Sequence, residues 1–106
     1  MTLSIIIVAY NASDDLARCL ASLHAAPPSI THDITVVDNA STDRGLGHVL
    51  SRWPGVRVLP LDRNRGFAAG NNVGLAAATG DILIMLNNDT YVTPGWVRTL
   101  CNHLRR

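Results

Sequence analysis

Four short polar clusters hold the residues best able to do chemistry: Tyr10-Asn11, Asp38-Asn39, Arg63-Asn64-Arg65-Gly66 and Asn87-Asn88-Asp89. The last ends the apolar run ILIML, so a stretch suited to burial stops on two amides and a carboxylate. Carboxylate and amide oxygens suit a cation. Arginine, glycine and asparagine together suit an anion. Each cluster alone also reads as turn or capping chemistry, because Asn, Asp and Gly are ordinary turn residues. Asn71-Asn72 are harder to assign to a turn. Asparagine is a mediocre helix former, so a pair of them in an Ala-rich stretch implies a polar task near a helix start.

Other chemistries are disfavoured. No G-x-G-x-x-G follows the first apolar run, and the chain has no lysine, which excludes the usual P-loop. His24, His32, His48 and His103 are scattered, and none pairs with a serine or cysteine in a nucleophile arrangement. Cys19 and Cys101 lack zinc-site spacing and read as two core thiols in a reducing compartment. All nine cations are Arg and all eight anions Asp, which we read as coding bias. The formal net charge of +1 makes nucleic acid a poor partner. The apolar start lacks a preceding basic region and is too short to span a bilayer. A soluble cytoplasmic domain is expected, working beside the inner face of a membrane at most.

The elements that must position these clusters can be read from periodicity. Residues 4–9, SIIIVA, form a short β-branched run suited to a strand buried on both faces. Ser13 then reads as an N-cap, and Leu16, Cys19, Leu20 and Leu23 make one helical stripe ended by Pro27-Pro28. Ile34–Val37 is a second strand. Leu46, Val49, Leu50 and Trp53 mark a second helix, and Val56–Leu59 a third strand. Phe67–Thr79 reads as a helix capped by Gly80, and Asp81–Leu86 as a fourth strand. Thr93-Pro94 opens a last helix carrying Trp96, Val97, Leu100 and Leu104. The order βαβαβαβα predicts an α/β domain with a mainly parallel sheet of about four strands and helices on both faces. All four clusters then follow strand ends on one edge of that sheet, where ligands bind in such folds.

The stretches SIIIVAYN, VVDNASTD, NRGFAAGNNVGLAAATGD and ILIMLNNDT resemble, in that order, the amino-terminal half of family-2 glycosyltransferases of the GT-A fold, nearest the rhamnosyltransferase-like branch. The resemblance runs from residue 3 to about residue 100. It implies a Rossmann-like domain spanning residues 1–106 that binds a nucleoside diphosphate sugar. By carry-over, Ala9, Tyr10 and Asn11 contact the base and ribose. Asp38 hydrogen-bonds a pyrimidine base, uracil or thymine, and Asn39 and Asp43 shape that pocket. Arg65, Gly66 and Asn71 lie near the diphosphate and sugar. Asn87, Asn88 and Asp89 occupy the metal motif usually written Asp-x-Asp, with Asp89 and Asn87 as Mg²⁺ or Mn²⁺ ligands. One carboxylate in place of two implies weak metal affinity without nucleotide.

The family needs roughly twice this length, and its second half carries the acceptor site and catalytic base. No residue here is assignable as that base. The resemblance therefore implies a truncated domain, inactive alone, from an enzyme moving sugar with inversion to a glycan or lipid-linked acceptor in cell-wall or polysaccharide synthesis. Apolar surface left uncovered predicts self-association. The alternative is a non-catalytic nucleotide-binding or assembly module of the same fold. A receiver-like domain is a weaker reading, because it wants a lysine late in the chain.

Overall fold

The computed structural model describes the backbone of residues 2–104 and the side chains of residues 2–100. Four strands and four helices alternate along it: β1 (Thr2–Ala9), α1 (Ser13–Ala25), β2 (Thr31–Asp38), α2 (Gly45–Ser51), β3 (Arg57–Pro60), α3 (Phe67–Ala77), β4 (Ile82–Asn87) and α4 (Trp96–Leu104). The sheet order is β3-β2-β1-β4, and every pairing is parallel. β1 is central because it is the most uniformly apolar strand; from Leu3 to Ala9 all its residues are buried.

Alternation along β1 divides the core in two. Leu3, Ile5, Ile7 and Ala9 pack with Leu16, Cys19, Leu20 and Leu23 of α1, Leu46 and Val49 of α2, and Val97 of α4. Ile6 and Val8 join Val37 on the opposite face, where Leu75 of α3 covers them. Helices therefore cover both faces, three on one and α3 alone on the other. Polar pins hold the outlying segments: Val92 N–H donates to Ser22 Oγ at 3.1 Å, and Trp96 Nε1 donates to the Ala26 carbonyl at 3.0 Å.

α3 lies close to the sheet because it carries glycine where it crosses. A Cβ at Gly70 would sit 2.9 Å from Val8 Cγ1, and one at Gly74 would overlap Ile6 Cγ2. Small residues there let the helix backbone approach the strands, which brings the start of α3 over the end of β1.

Several caps differ from expectation. Ser13 is not the N-cap of α1 but its first residue, preceded by Ala12, and Asp43 from another loop accepts its N–H at 3.2 Å. Gly80 is not the helix cap either. α3 ends three residues earlier, and Gly80 is small because Ser4 N would lie 2.7 Å from its Cβ, while its own N–H donates to Ser4 Oγ. Thr93-Pro94 form a turn ahead of α4, closed by Trp96 N–H on the Thr93 carbonyl, with Gly95 at φ 81°. Trp53 lies just past α2 and stacks on His24, ring centroids 4.0 Å apart. Cys19 is a buried free thiol; burial, with the Asp89 carboxylate adding to it, pushes its pKa up to about 11. Cys101, His103 and Leu104 fall outside the described side chains. Among the described residues no helix is long and apolar enough to cross a membrane.

Candidate functional site

Chain order reverses at β1: β2 lies on one side of it and β4 on the other. In doubly wound sheets that reversal opens a crevice beyond the strands' carboxyl ends. A cleft of about 420 Å³ lies there. Val8 is its floor and Tyr10 stands at the end of β1. Gly66 and Phe67 form the wall on the α3 side, and Asn87, Asn88 and Asp89 the wall on the β4 side. The register explains the juxtaposition, because Val8 pairs with Asn87 and parallel partners share a face.

Asn39 builds the α3 wall. It is 3% exposed, and both ends of its amide are used. Its Nδ2 donates to the Gly66 carbonyl at 3.1 Å, and its Oδ1 accepts the Arg65 N–H at 2.8 Å. Gly66 sits at φ 85°, a conformation side-chain-bearing residues rarely adopt. The loop that carries Asn39 is itself strained. Ala40 is at φ 63°, which costs a non-glycine residue about 1 kcal/mol. Asp38 holds that turn by accepting the Ser41 N–H at 2.8 Å.

Asn11 ties the first two loops together. From φ 48°, its Oδ1 accepts the N–H groups of Thr42 at 2.7 Å and Asp43 at 3.0 Å, and its own N–H donates to Ser41 Oγ. Asp43 then joins the starts of α1 and α2, accepting from Ser13 and Gly45 N–H. The adjacent Ser13 hydroxyl and those two N–H groups hold its carboxyl below the usual carboxylate range. The Ser13 oxygen is buried beside that carboxylate without a hydrogen bond of good geometry, so the backbone donors are the firmer part of this contact.

A pH dependence follows. A carboxylate whose folded pKa is depressed stabilises the fold above its unfolded pKa, and that contribution disappears as pH falls through the folded value. Asp43→Asn is expected to lower stability at neutral pH and to flatten the loss of stability below pH about 4, the ordinary carboxylate range. Urea unfolding from neutral to acid pH checks it. An unchanged acid limb would assign the effect to other carboxylates.

The expected site residues thus separate into two groups. Tyr10, Asn39, Gly66, Asn87, Asn88 and Asp89 line the one cleft. Ala9, Asn11, Asp38, Asp43, Arg65 and Asn71 lie outside its lining. Ala9 turns into the core below. The Arg65 guanidinium lies on Asp62 at 3.0 Å, and its backbone N–H is the group bound to Asn39. Asn71 is 7% exposed with Oδ1 unpartnered, while Asn72 faces solvent. Val8, Asn64 and Phe67 line the cleft without having been singled out. Asn64 stood in a recognised cluster. Phe67, 55% exposed at the first position of α3, had its signal in an apolar residue directly after the glycine of a polar loop.

Among the described residues Asp89 is the one carboxylate lining the cleft. Among the described residues no three His, Cys, Asp or Glu side chains gather where they could hold a metal. The hard oxygens of Asp89 and Asn87 suit a divalent cation in kind and fall short in number, so the chain alone does not build a closed metal site.

A parallel α/β sheet with a polar cleft at its reversal point is the arrangement in which open α/β folds place ligands. Residues 4–106 match the model of glycosyl transferase family 2, and the chain belongs to that family. It is 34% identical over 96 residues to the succinoglycan biosynthesis protein ExoO of Rhizobium meliloti, covering 90% of this chain and 27% of that protein. It is 32% identical over 82 residues to polypeptide N-acetylgalactosaminyltransferase 5 of Rattus norvegicus, covering 74% of this chain and 9% of the relative. The structure superposes on S. aureus TarS 1-349 in complex with UDP with a TM-score of 0.83 at 26% identity, over 99% of this chain and 32% of that one. The chain thus spans about a third or less of these relatives, and its sheet is the GT-A arrangement.

Proposed function

We propose that the cleft binds the nucleoside diphosphate of a UDP- or dTDP-sugar, as the donor half-site of a glycosyltransferase. The observation that carries this is the convergence of Tyr10, Asn39, Gly66 and Asn87-Asn88-Asp89 on one cleft, in a chain of glycosyl transferase family 2. The UDP complex of TarS supports a uridine nucleotide. The amides supply donors for phosphate and sugar oxygens, and Tyr10, 48% exposed, supplies an aromatic face for a base. Asp38 carries base recognition in this reading, from the β2 end of the same edge.

The diphosphate is a poor leaving group until its charge is compensated. A Mg²⁺ or Mn²⁺ ion held there supplies that compensation. Asp89 would hold it with one charged oxygen and Asn87 with one carbonyl, and the further ligands would have to come from outside the chain. Metal affinity is therefore low in the absence of nucleotide. The full reaction we propose is inverting transfer of a hexosyl group, rhamnosyl being the variant the sequence resemblance favours, to a glycan or lipid-linked acceptor. This chain assigns no base for that transfer and alone is expected to be inactive. Because Asp89 is the one carboxylate lining the cleft among the described residues and is committed to the cation, a non-catalytic nucleotide-binding module is the second reading.

Calorimetric titration of UDP and dTDP, with Mn²⁺ and then with EDTA, tests this. The expected result is metal-dependent binding to the folded chain, weakened at least tenfold, about 1.4 kcal/mol, in Asp89→Ala. Equal affinity with Mn²⁺ and EDTA would remove the cation from the account. No binding of either nucleotide would leave the cleft as inherited architecture.

A further inference from the structure

We infer that Ser22, late in α1, is a positioning residue for Asp89: it anchors the segment after β4 that carries this carboxylate to the cleft. The inference rests on the donor-site reading proposed for that cleft. Asp89 lies in irregular chain, residues 88–95, between the end of β4 and the start of α4. Thr90 N–H closes the first turn on the Asn87 carbonyl at 3.0 Å. Beyond that turn the segment is tied down on α1. Val92 N–H donates to Ser22 Oγ at 3.1 Å, and the Ser22 hydroxyl donates in turn to the Cys19 carbonyl at 2.8 Å. One helical turn further on, the Ala26 carbonyl accepts from Trp96 Nε1 at 3.0 Å. Asp89 stands near the same stretch of α1. Burial raises the pKa of the Cys19 thiol, and the neighbouring Asp89 carboxylate raises it further.

A serine inside a helix commonly turns its hydroxyl back on a carbonyl one turn earlier. Ser51 of α2 does only that, donating to the His48 carbonyl at an exposed position. Ser22 differs in two ways. It is buried, and its oxygen accepts a backbone donor 70 residues away in sequence. Val92 is buried too, packed in the larger core. Without the serine oxygen its N–H has lost its acceptor in that core, and a buried donor left unpaired is costly. The relief open to the segment is to rise from α1 toward solvent, and Asp89 precedes Val92 by three residues. The wall on the α3 side does not depend on this bond, because there Asn39 holds Arg65 and Gly66. Ser22 therefore acts on the side of the cleft that meets the cation.

Titration of UDP into the whole chain over a series of Mn²⁺ concentrations tests the inference. Ser22→Ala is expected to raise the Mn²⁺ concentration that half-saturates UDP binding by about tenfold, the lower end of the loss when a group behind a metal ligand is removed. UDP affinity at saturating Mn²⁺ is expected to stay unchanged. Ser22→Thr, which keeps the hydroxyl, is expected to restore the wild-type value, and Ser51→Ala to leave it unmoved. In the chain alone, amide hydrogen exchange in Ser22→Ala is expected to speed up across residues 88–92 and to stay unchanged at Arg65 and Gly66. A wild-type Mn²⁺ dependence in Ser22→Ala, or unchanged exchange at Val92, overturns the inference and leaves the donor-site reading standing. So does a loss of UDP affinity that no Mn²⁺ concentration repairs, since that marks general loosening of the fold. A wild type that binds UDP equally at every Mn²⁺ concentration, or not at all, overturns the donor-site reading and this role for Ser22 with it. Should Ser22→Ala not fold, Ser22→Cys decides. Its thiol is close in size and a weak acceptor, and it is expected to shift the Mn²⁺ dependence in the same direction.

Discussion

Gly74→Ala is expected to destabilise the domain by about 3 kcal/mol, the upper end of overpacking costs in a filled core. The reason is where the new methyl lands. It overlaps Ile6 Cγ2 and sits 3.2 Å from Val37 Cγ2, both on fully buried side chains of the two central strands. β-Branched side chains have little χ1 freedom with which to yield. α3 must therefore lift, and its lifting withdraws Leu75 from the small core beneath it. In an ordinary domain the total stability is about 5–15 kcal/mol, so this is a large share. The urea midpoint is expected to fall by roughly 2 M at a typical slope. Gly47→Ala is the control, since no atom lies within 4 Å of its Cβ position. Equal stability of Gly74→Ala and wild type would mean that α3 is not pressed onto the sheet as described.

Asn39→Ala is expected to cost about 2 kcal/mol, because two hydrogen bonds are lost together and their partners are left to solvent. The consequence for the cleft exceeds that figure. Asn39 fixes both Arg65 and Gly66, so its loss frees the segment that leads Phe67 into the wall. Nucleotide affinity is expected to fall although Asn39 need not touch the ligand strongly. Asn39→Asp separates the two bonds. A carboxylate still accepts the Arg65 N–H, but it faces the Gly66 carbonyl with no proton to donate. Its stability is expected to recover only below the carboxylate's folded pKa, where the protonated acid can donate again. That pKa should be raised by burial, so Asn39→Asp should lose stability as pH rises through it. Urea unfolding of both variants across acid and neutral pH, with UDP titration alongside, measures each effect. If Asn39→Asp is as stable as wild type at neutral pH, the Gly66 bond carries no weight.

The architecture was legible because its signals are local. SIIIVA and ILIML are continuous apolar runs of strand length, and Leu16, Cys19, Leu20 and Leu23 repeat at helical spacing. Which edge the polar clusters share follows from the alternation of strands and helices, without knowing any contact. What sequence does not reveal is which side chains a loop spends on itself. Asn11 and Asp43 also tie loops together across about 30 residues of chain, and Asp38 also closes its own turn by accepting the Ser41 N–H. Arg65 looks like a phosphate contact, and its guanidinium lies on Asp62. Caps failed for the same reason. Ser13 has the residue type of an N-cap, but the acceptor for its N–H comes from Asp43, on another loop. Phe67 was passed over because apolar residues at a helix start are ordinary, and its exposure depends on how far α3 extends past β1. For Tyr10 and Asn87-Asn88-Asp89 chain direction alone decides the position: they follow strand ends directly, and the structure sets them along the cleft.

The most direct test of the central claim is an amide chemical-shift map of the uniformly labelled chain titrated with UDP and Mg²⁺. The account predicts saturable shifts concentrated on Tyr10, Asn39, Gly66, Phe67 and Asn87–Asp89, with the far ends of β1 and β4, at Thr2 and Ile82, unmoved. Saturable shifts that cluster elsewhere, or none at all in a folded chain, would contradict it.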